Sequence, residues 1–456
     1  MPAVYTLSID PATNPSGAVN ELIGDITATN KAGGTNTINL FAGGVYDLMA
    51  ADNSTNGANG LPVITKKDKL TIIGNSGDII ERSTGAPDFR LFDNKGSLTL
   101  EDVTLQNGLA FGSGAAADGG AIYNTGTLTL INTIVQNNTA QGTDGAAGKV
   151  GKNGADNKAD GKAGGGAEGG GIWSSGSVTL QGGTILQGNR ALGGNGGAAG
   201  HNPNPGEGGR GGGGFGGGLY EAGGSVNASN ATIASNTAAG GAGGAGFKSA
   251  DGYTSVGGAG SGGGIYVWIG TLDLGDPLGQ SFVTVENNRA LGGAGGGLQG
   301  DSGSPGGEGS GGGIALAGNM AGGDESTGDQ VVLTYVHLLS NVAEGGQGGS
   351  SSGGGAVGGS GLGGGLYVAS ASVMLINDTV TGNEAIGGPG GNGNFPTTPH
   401  DGPVGGGGIW IKIEGPNAAG WGIGIDSFTV TNTTDNHDWR DDSELEDNIE
   451  GLYTLV

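Results

Sequence analysis

Six aromatic residues, Tyr123, Trp173, Tyr220, Tyr266, Tyr367 and Trp410, recur in this sequence at similar spacing, with Ala315 standing where a seventh ring would fall. Each follows an isoleucine or leucine, the first being Ile122 and the last Ile409. If that aliphatic residue points inward on a β-strand, alternation turns the ring outward. Flat amphipathic rings spaced about one strand apart, roughly 4.8 Å, would suit a glycan-binding surface. The competing fate is burial under neighbouring glycine-rich chain, since a backbone without side chains packs flat against a ring. Burial is the preferred reading.

A second series is Asn138, Asn189, Asn236, Asn288, Asn341 and Asn383, each followed two residues later by alanine. One amide per repeat in constant register predicts a structural ladder, because stacked Asn side chains bond to one another and to turn backbone.

Catalytic chemistry has little to draw on. Glycosidic cleavage needs two carboxyls facing one site, whereas the positions read as outward carry mostly Thr, Ser, Asn and Gly, with acids such as Asp273 isolated. The four histidines, His201, His337, His400 and His437, show no metal-ligand spacing. Acids cluster near the carboxy terminus, where Asp438, Asp441, Asp442 and Glu444 are the candidates for a Ca²⁺ site. No other cofactor is expected. Rows of outward hydroxyls, Thr127 with Thr129 and Ser177 with Thr179, raise an ice-binding surface, but the array breaks at Asn227, Asp273 and Met374.

The elements that position these residues follow from repetition. A phrase of glycines and an apolar pair opens seven repeats, from "GGAIY" at 119 to "GGGIW" at 406. An alternating strand such as "TLTL" (127 to 130) follows, and then a third short strand ending in Asn-x-Ala. Three short strands per repeat, joined by Gly, Asn, Ser and Thr turns, predict one coil of a β-solenoid, stable only when coils stack.

Between each Asn-x-Ala and the next opening lies glycine-rich chain with a period of three, at 142, 145, 148, 151 and 154, for example, or at 194, 197 and 200. A flexible linker would keep no period. Three residues per turn is the geometry of a polyproline-II chain, which would place glycine along one edge where neighbouring chains approach. These segments are predicted to be out-and-back arms that stack on one another; about 12 residues each way would reach on the order of 35 Å.

Composition agrees. The chain has 456 residues, 112 of them glycine, and only 34% are hydrophobic, which leaves little for a conventional globular core. Its net charge of −25, from 17 basic and 42 acidic residues, argues against nucleic acid as a partner. No apolar run is long enough for a transmembrane segment, cysteine is absent, and the amino terminus lacks the pattern of a secretory signal.

These motifs resemble those of bacterial right-handed parallel β-helix surface proteins, the autotransporter passengers and polymorphic outer-membrane proteins, which carry GGA[ILV] and Phe-x-x-Asn tetrapeptides. Here "GGAI" stands at 119 to 122, and the second motif has an aliphatic residue for phenylalanine, as in Val135 to Asn138 and Leu186 to Asn189. The resemblance covers roughly residues 15 to 435 and does not extend to a membrane barrel. It implies an extracellular or cell-surface setting and an adhesive or structural role.

The expectation is therefore an all-β, right-handed parallel β-helix with stacked glycine arms. Residues 1 to 110 form a cap and first coils, 111 to 434 the arm-bearing repeats, and 435 to 456 an acidic segment. The expected function is non-catalytic, structural or adhesive, with head-to-tail self-association through strand-like "VYTLSI" (4 to 9) and "LYTLV" (452 to 456). A glycan-binding adhesin using the aromatic row and a pectin-degrading type of polysaccharide lyase or hydrolase stand as alternatives.

Overall fold

The computed structural model describes residues 2–456 apart from 150–159, 201–205, 248–254, 299–302, 318–329, 370, 394–400, 413–422, 441–442 and 447. The chain is mostly β, and its strands pair almost entirely in parallel. Strands separated by one repeat lie side by side, so Thr127–Ile131 pairs with Ser177–Gln181, which pairs in turn with Ser225–Ala228. Each repeat visits the same set of strand columns in the same order. The inward row of the first column holds Leu130, Leu180, Ala228 and Leu274 in register, all buried. Period-two alternation is thereby converted into one continuous apolar core.

A repeat contains more than the three strands expected. The third stretch splits at the ladder asparagine, giving Thr184–Gln187 and Arg190–Leu192 around Asn189, and a two-residue strand, Ala167–Glu168 in this repeat, precedes the opening. Left-handed residues make the corners. The first opening glycine of each repeat has φ between 56° and 64°, from Gly406 to Gly119 and Gly169. A second left-handed corner precedes each ladder asparagine and falls on Asn137, Ser235, Asn287 and Ser340 as well as on Gly188 and Gly382. A side chain there strains the backbone. The exposed Ser340, changed to glycine, should raise stability by up to about 1 kcal/mol in urea denaturation.

The amino-terminal cap contains an element absent from the all-β expectation. A helix, Pro15–Ala32, is started by Asn14, whose side chain accepts from the Gly17 amide, and buries Ala18, Leu22, Ile26 and Thr29 against the first coils. Among the described residues, no helix is long and apolar enough to cross a membrane.

The glycine arms are ordered where described. In the outgoing segment, Gly193, Gly196 and Ala199 donate to Ala239, Ala242 and Ala245 of the next arm at 2.7–2.8 Å, while Gly194 and Gly197 donate to Gly165 and Lys162 of the preceding returning segment at 2.8 Å. Returning residues Gly209 and Gly212 donate back to Gly197 and Gly194. Gly194, Gly197 and Gly200 are buried, whereas Asn195 and Ala198 are exposed. None of these glycines has a left-handed φ. Their requirement is close approach: a Cβ on Gly194 would overlap the Thr143 carbonyl oxygen, and one on Gly212 the Gly165 carbonyl oxygen.

Candidate functional site

The opening strands put the aromatic residues in register, Tyr123 beside Trp173, Trp173 beside Tyr220, and Tyr220 beside Tyr266. Ala315 then interrupts before Tyr367 and Trp410. Tyr123 and Trp173 stack at 4.3 Å between centroids, and both Tyr220–Tyr266 and Tyr367–Trp410 stack at 5.1 Å. The left-handed opening glycine folds the preceding two-residue strand back over this row, bringing Phe215 to 5.2 Å from Tyr266. Tyr123, Tyr220, Tyr266 and Tyr367 are buried at 6–8% exposure, and Trp173 and Trp410 are half-buried. The returning arms thus run into strands that cover most of the ring surface.

A charged cluster lies at the amino-terminal end of the row. Asp93 occupies the register position beside Tyr123, and Asp118 bridges to Glu168. The Arg90 guanidinium sits 5.0 Å from the Tyr123 ring centroid. Glu168 accepts from Trp173 Nε1 at 2.8 Å and shares a hydrogen bond with the Tyr220 hydroxyl. Burial pushes the Asp118 carboxyl up to about 8, with Glu168 adding like-charge repulsion against the opposing pull of Arg90. Desolvation also raises Glu168, and lowers Arg90 to about 10.

A protonated carboxyl beside a second carboxyl and an arginine is an arrangement suited to proton transfer. Access argues for a structural use. Arg90 and Asp93 are fully buried, Asp118 is 8% exposed, and Arg90 is covered by the turn Gly114–Ala117, to whose Ala115 carbonyl its Nη2 donates at 2.5 Å. Glu168 alone keeps a partly exposed surface.

All six ladder asparagines are fully buried. Asn236 is typical. Its Nδ2 donates to Asn288 Oδ1 at 3.0 Å and to the Leu186 carbonyl at 2.9 Å, while its Oδ1 accepts from Asn189 Nδ2 and from the Asn189 backbone amide, both at 3.0 Å. Each amide is saturated within the ladder, which leaves it no free group for a ligand. The ladder also extends past the predicted series, from Asn383 to Asn436 and from Asn436 to Asn448 at 2.9 Å each.

The predicted acidic site is only partly within view. Asp438 is buried, on a strand whose antiparallel return sets it opposite Leu445 and Glu444 opposite Trp439. Asp441, Asp442 and the Glu444 side chain lie outside the described residues, as do His201 and His400. His337 is half-buried against Phe282, 5.0 Å between rings, and desolvation lowers its pKa.

Against family models, curated proteins and solved structures, the chain has no match.

Proposed function

We propose that this chain is a right-handed parallel β-helix of the bacterial surface-protein kind, serving as a non-catalytic structural or adhesive protein outside the cell or on its surface. The observation that carries the reading is the arm lattice. Backbone hydrogen bonds run from one arm to the next along the stack, at positions where a side chain would collide. The three-residue alternation of buried and exposed positions supports a polyglycine-II conformation. Such a lattice doubles the solenoid with a second ordered layer, which suits load-bearing or surface display.

The glycan-binding alternative loses support because four rings of the row are buried, leaving Trp173 and Trp410 as its partly exposed members. The polysaccharide-cleaving alternative rests on Asp118 and Glu168, and the seal over Arg90 counts against it.

Hydrogen exchange read by mass spectrometry tests the load-bearing reading. The amides of 193–200 and 206–213 should exchange as slowly as those of the strand Ala231–Ala234. Exchange at the rate of unstructured chain would overturn it. The Gly258 amide donates to the Gly241 carbonyl at 2.8 Å, and a Cβ on Gly258 would overlap the Gly212 carbonyl oxygen. Gly258→Ala should therefore cost about 1–3 kcal/mol and speed exchange around 255–259. Substituting the exposed Ala198 by serine should change stability by less than about 0.5 kcal/mol.

A further inference from the structure

The first and last strands close the two ends of one column. Ala3–Thr6 pairs with Gly34–Asn39, and Thr454–Leu455 pairs with Ile423–Ile425; among the described residues neither terminal strand has a second neighbour. From these pairings a single inward row can be followed through every coil. It starts on Tyr5 beside Ile38, runs on through Ile72, Leu100 and their successors, and ends on Ile425 beside Leu455.

At the carboxy-terminal end that row is uncovered. Leu455 is 63% exposed, Val456 59% and Tyr453 40%. At the opposite end the helix Pro15–Ala32 closes the core with its own apolar face, but the outer edge of the first strand stays open and Val4 is 67% exposed.

The free backbone groups at the two ends are in complementary phase. The Leu7 amide donates to Asn39, so Ala3, Tyr5 and Leu7 face the second strand, and Val4 and Thr6 turn their N–H and C=O to the free edge. At the other end the Val456 amide donates to Ile425, so Thr454 and Val456 face inward along the column and Leu455 turns outward. Continuing the column register sets Leu455 opposite Tyr5, where its N–H meets the Val4 carbonyl and its C=O meets the Thr6 amide. This is the hydrogen-bond phase the column uses internally.

We infer that the carboxy-terminal strand of one copy pairs in parallel with the amino-terminal strand of a second copy, extending the column head to tail. The inference rests on the structural reading above and names the partner: another molecule of this chain. Leu455 then covers Tyr5, and Tyr453 lies over Ala3. A head-to-tail contact of this kind is heterologous and leaves a free edge at each end of every complex, so it propagates as a filament.

The test uses the full chain and two variants that each remove one outward-facing amide. Val4→Pro blocks the head and Leu455→Pro blocks the tail, and in neither strand does the lost N–H serve the internal ladder. Sedimentation velocity should show the unmodified protein growing into a concentration-dependent series of end-to-end oligomers, with rods lengthening in electron micrographs. Each variant alone should stay at the 43.8 kDa monomer mass. Their equimolar mixture should give a dimer of twofold mass and nothing larger, because only one head and one tail remain competent.

An unmodified protein that stays monomeric at high concentration overturns the inference. So does a Val4→Pro protein that still self-associates, the mark of a tail-to-tail contact, or a mixture that does not pair. Circular dichroism and slow arm exchange in both variants establish that they fold. Monomers with protected arms would leave the scaffold reading standing while removing this one; unprotected arms would remove the scaffold itself.

Discussion

Asn288→Ala should destabilise the protein by roughly 3–5 kcal/mol, more than any exposed asparagine can. Asn288 is fully buried at the middle of the ladder. Its Oδ1 accepts from the Asn236 amide at 2.9 Å and from Asn236 Nδ2 at 3.0 Å, and its Nδ2 donates to the Ile233 carbonyl at 2.8 Å. Truncation leaves all three of those groups facing a dry cavity, and each orphaned buried group costs about 1–3 kcal/mol. Asn341 Oδ1 keeps the bond from the Asn288 backbone amide, so damage runs chiefly toward the earlier coil. Asn227 is the control: it points outward and is exposed, and Asn227→Ala should fall within about 0.5 kcal/mol of the unmodified protein. Urea denaturation of both variants decides the matter. Equal losses, or a loss below about 1 kcal/mol at Asn288, would mean that the ladder adds little to the core.

That ladder shows where the sequence could be read and where it could not. Asn138 to Asn383 announce themselves because alanine follows two residues later in every copy. At Asn436 the alanine position is taken by Asp438, which pairs in register with Ala385, so the signature vanishes although the geometry continues. Asn448 is harder still, since it returns to the ladder only after an antiparallel hairpin.

The charged cluster has no local signature either. Arg90, Asp93, Asp118 and Glu168 are brought together by coil closure, across separations that no motif spans. One clue was present: "FDN" at 92 to 94 occupies the place of "IYN" at 122 to 124, which sets Asp93 at the head of the aromatic row. The two-residue strands escaped for a different reason. They contain too few residues to alternate, and their pairing depends on the left-handed glycine that follows them. The helix Pro15–Ala32 was hidden inside a region read as cap, although Ala18, Leu22, Ile26 and Thr29 keep helical spacing.

Lowering the pH from about 8 to about 5 should raise the melting temperature, which is the reverse of ordinary acid denaturation. Three nearly or fully buried carboxyls set the sign. Desolvation pushes Asp378 up to about 8 despite hydrogen bonds from the Val336 and Ile376 amides. It pushes Glu221 up to about 7 and Asp118 to about 8. Each group binds its proton more tightly folded than unfolded, where the ordinary values are 3.8 for Asp and 4.5 for Glu. The associated stability is complete below those ordinary values and is lost as pH climbs through the folded ones.

A tenfold change in proton affinity is worth about 1.4 kcal/mol, so the combined swing is on the order of several kcal/mol. Relief of the −25 net charge acts in the same direction. Glu21 opposes it: desolvation raises that carboxyl, but hydrogen bonds from Ile9 and Ser8 outweigh the effect and hold it low, so its contribution fades in acid. His337 opposes it too, because desolvation lowers its pKa and the unfolded chain takes up that proton first as the pH falls; these are two half-buried groups against three buried carboxyls. Glu221→Gln keeps an acceptor for the Gly223 and Gly224 amides and cannot ionise. It should flatten the pH dependence between about pH 5 and about pH 8 and raise stability at the alkaline end. A melting temperature that instead climbs toward pH 8 in the unmodified protein would show that these carboxyls reach solvent, and that the coils around Glu221 and Asp378 are open to water.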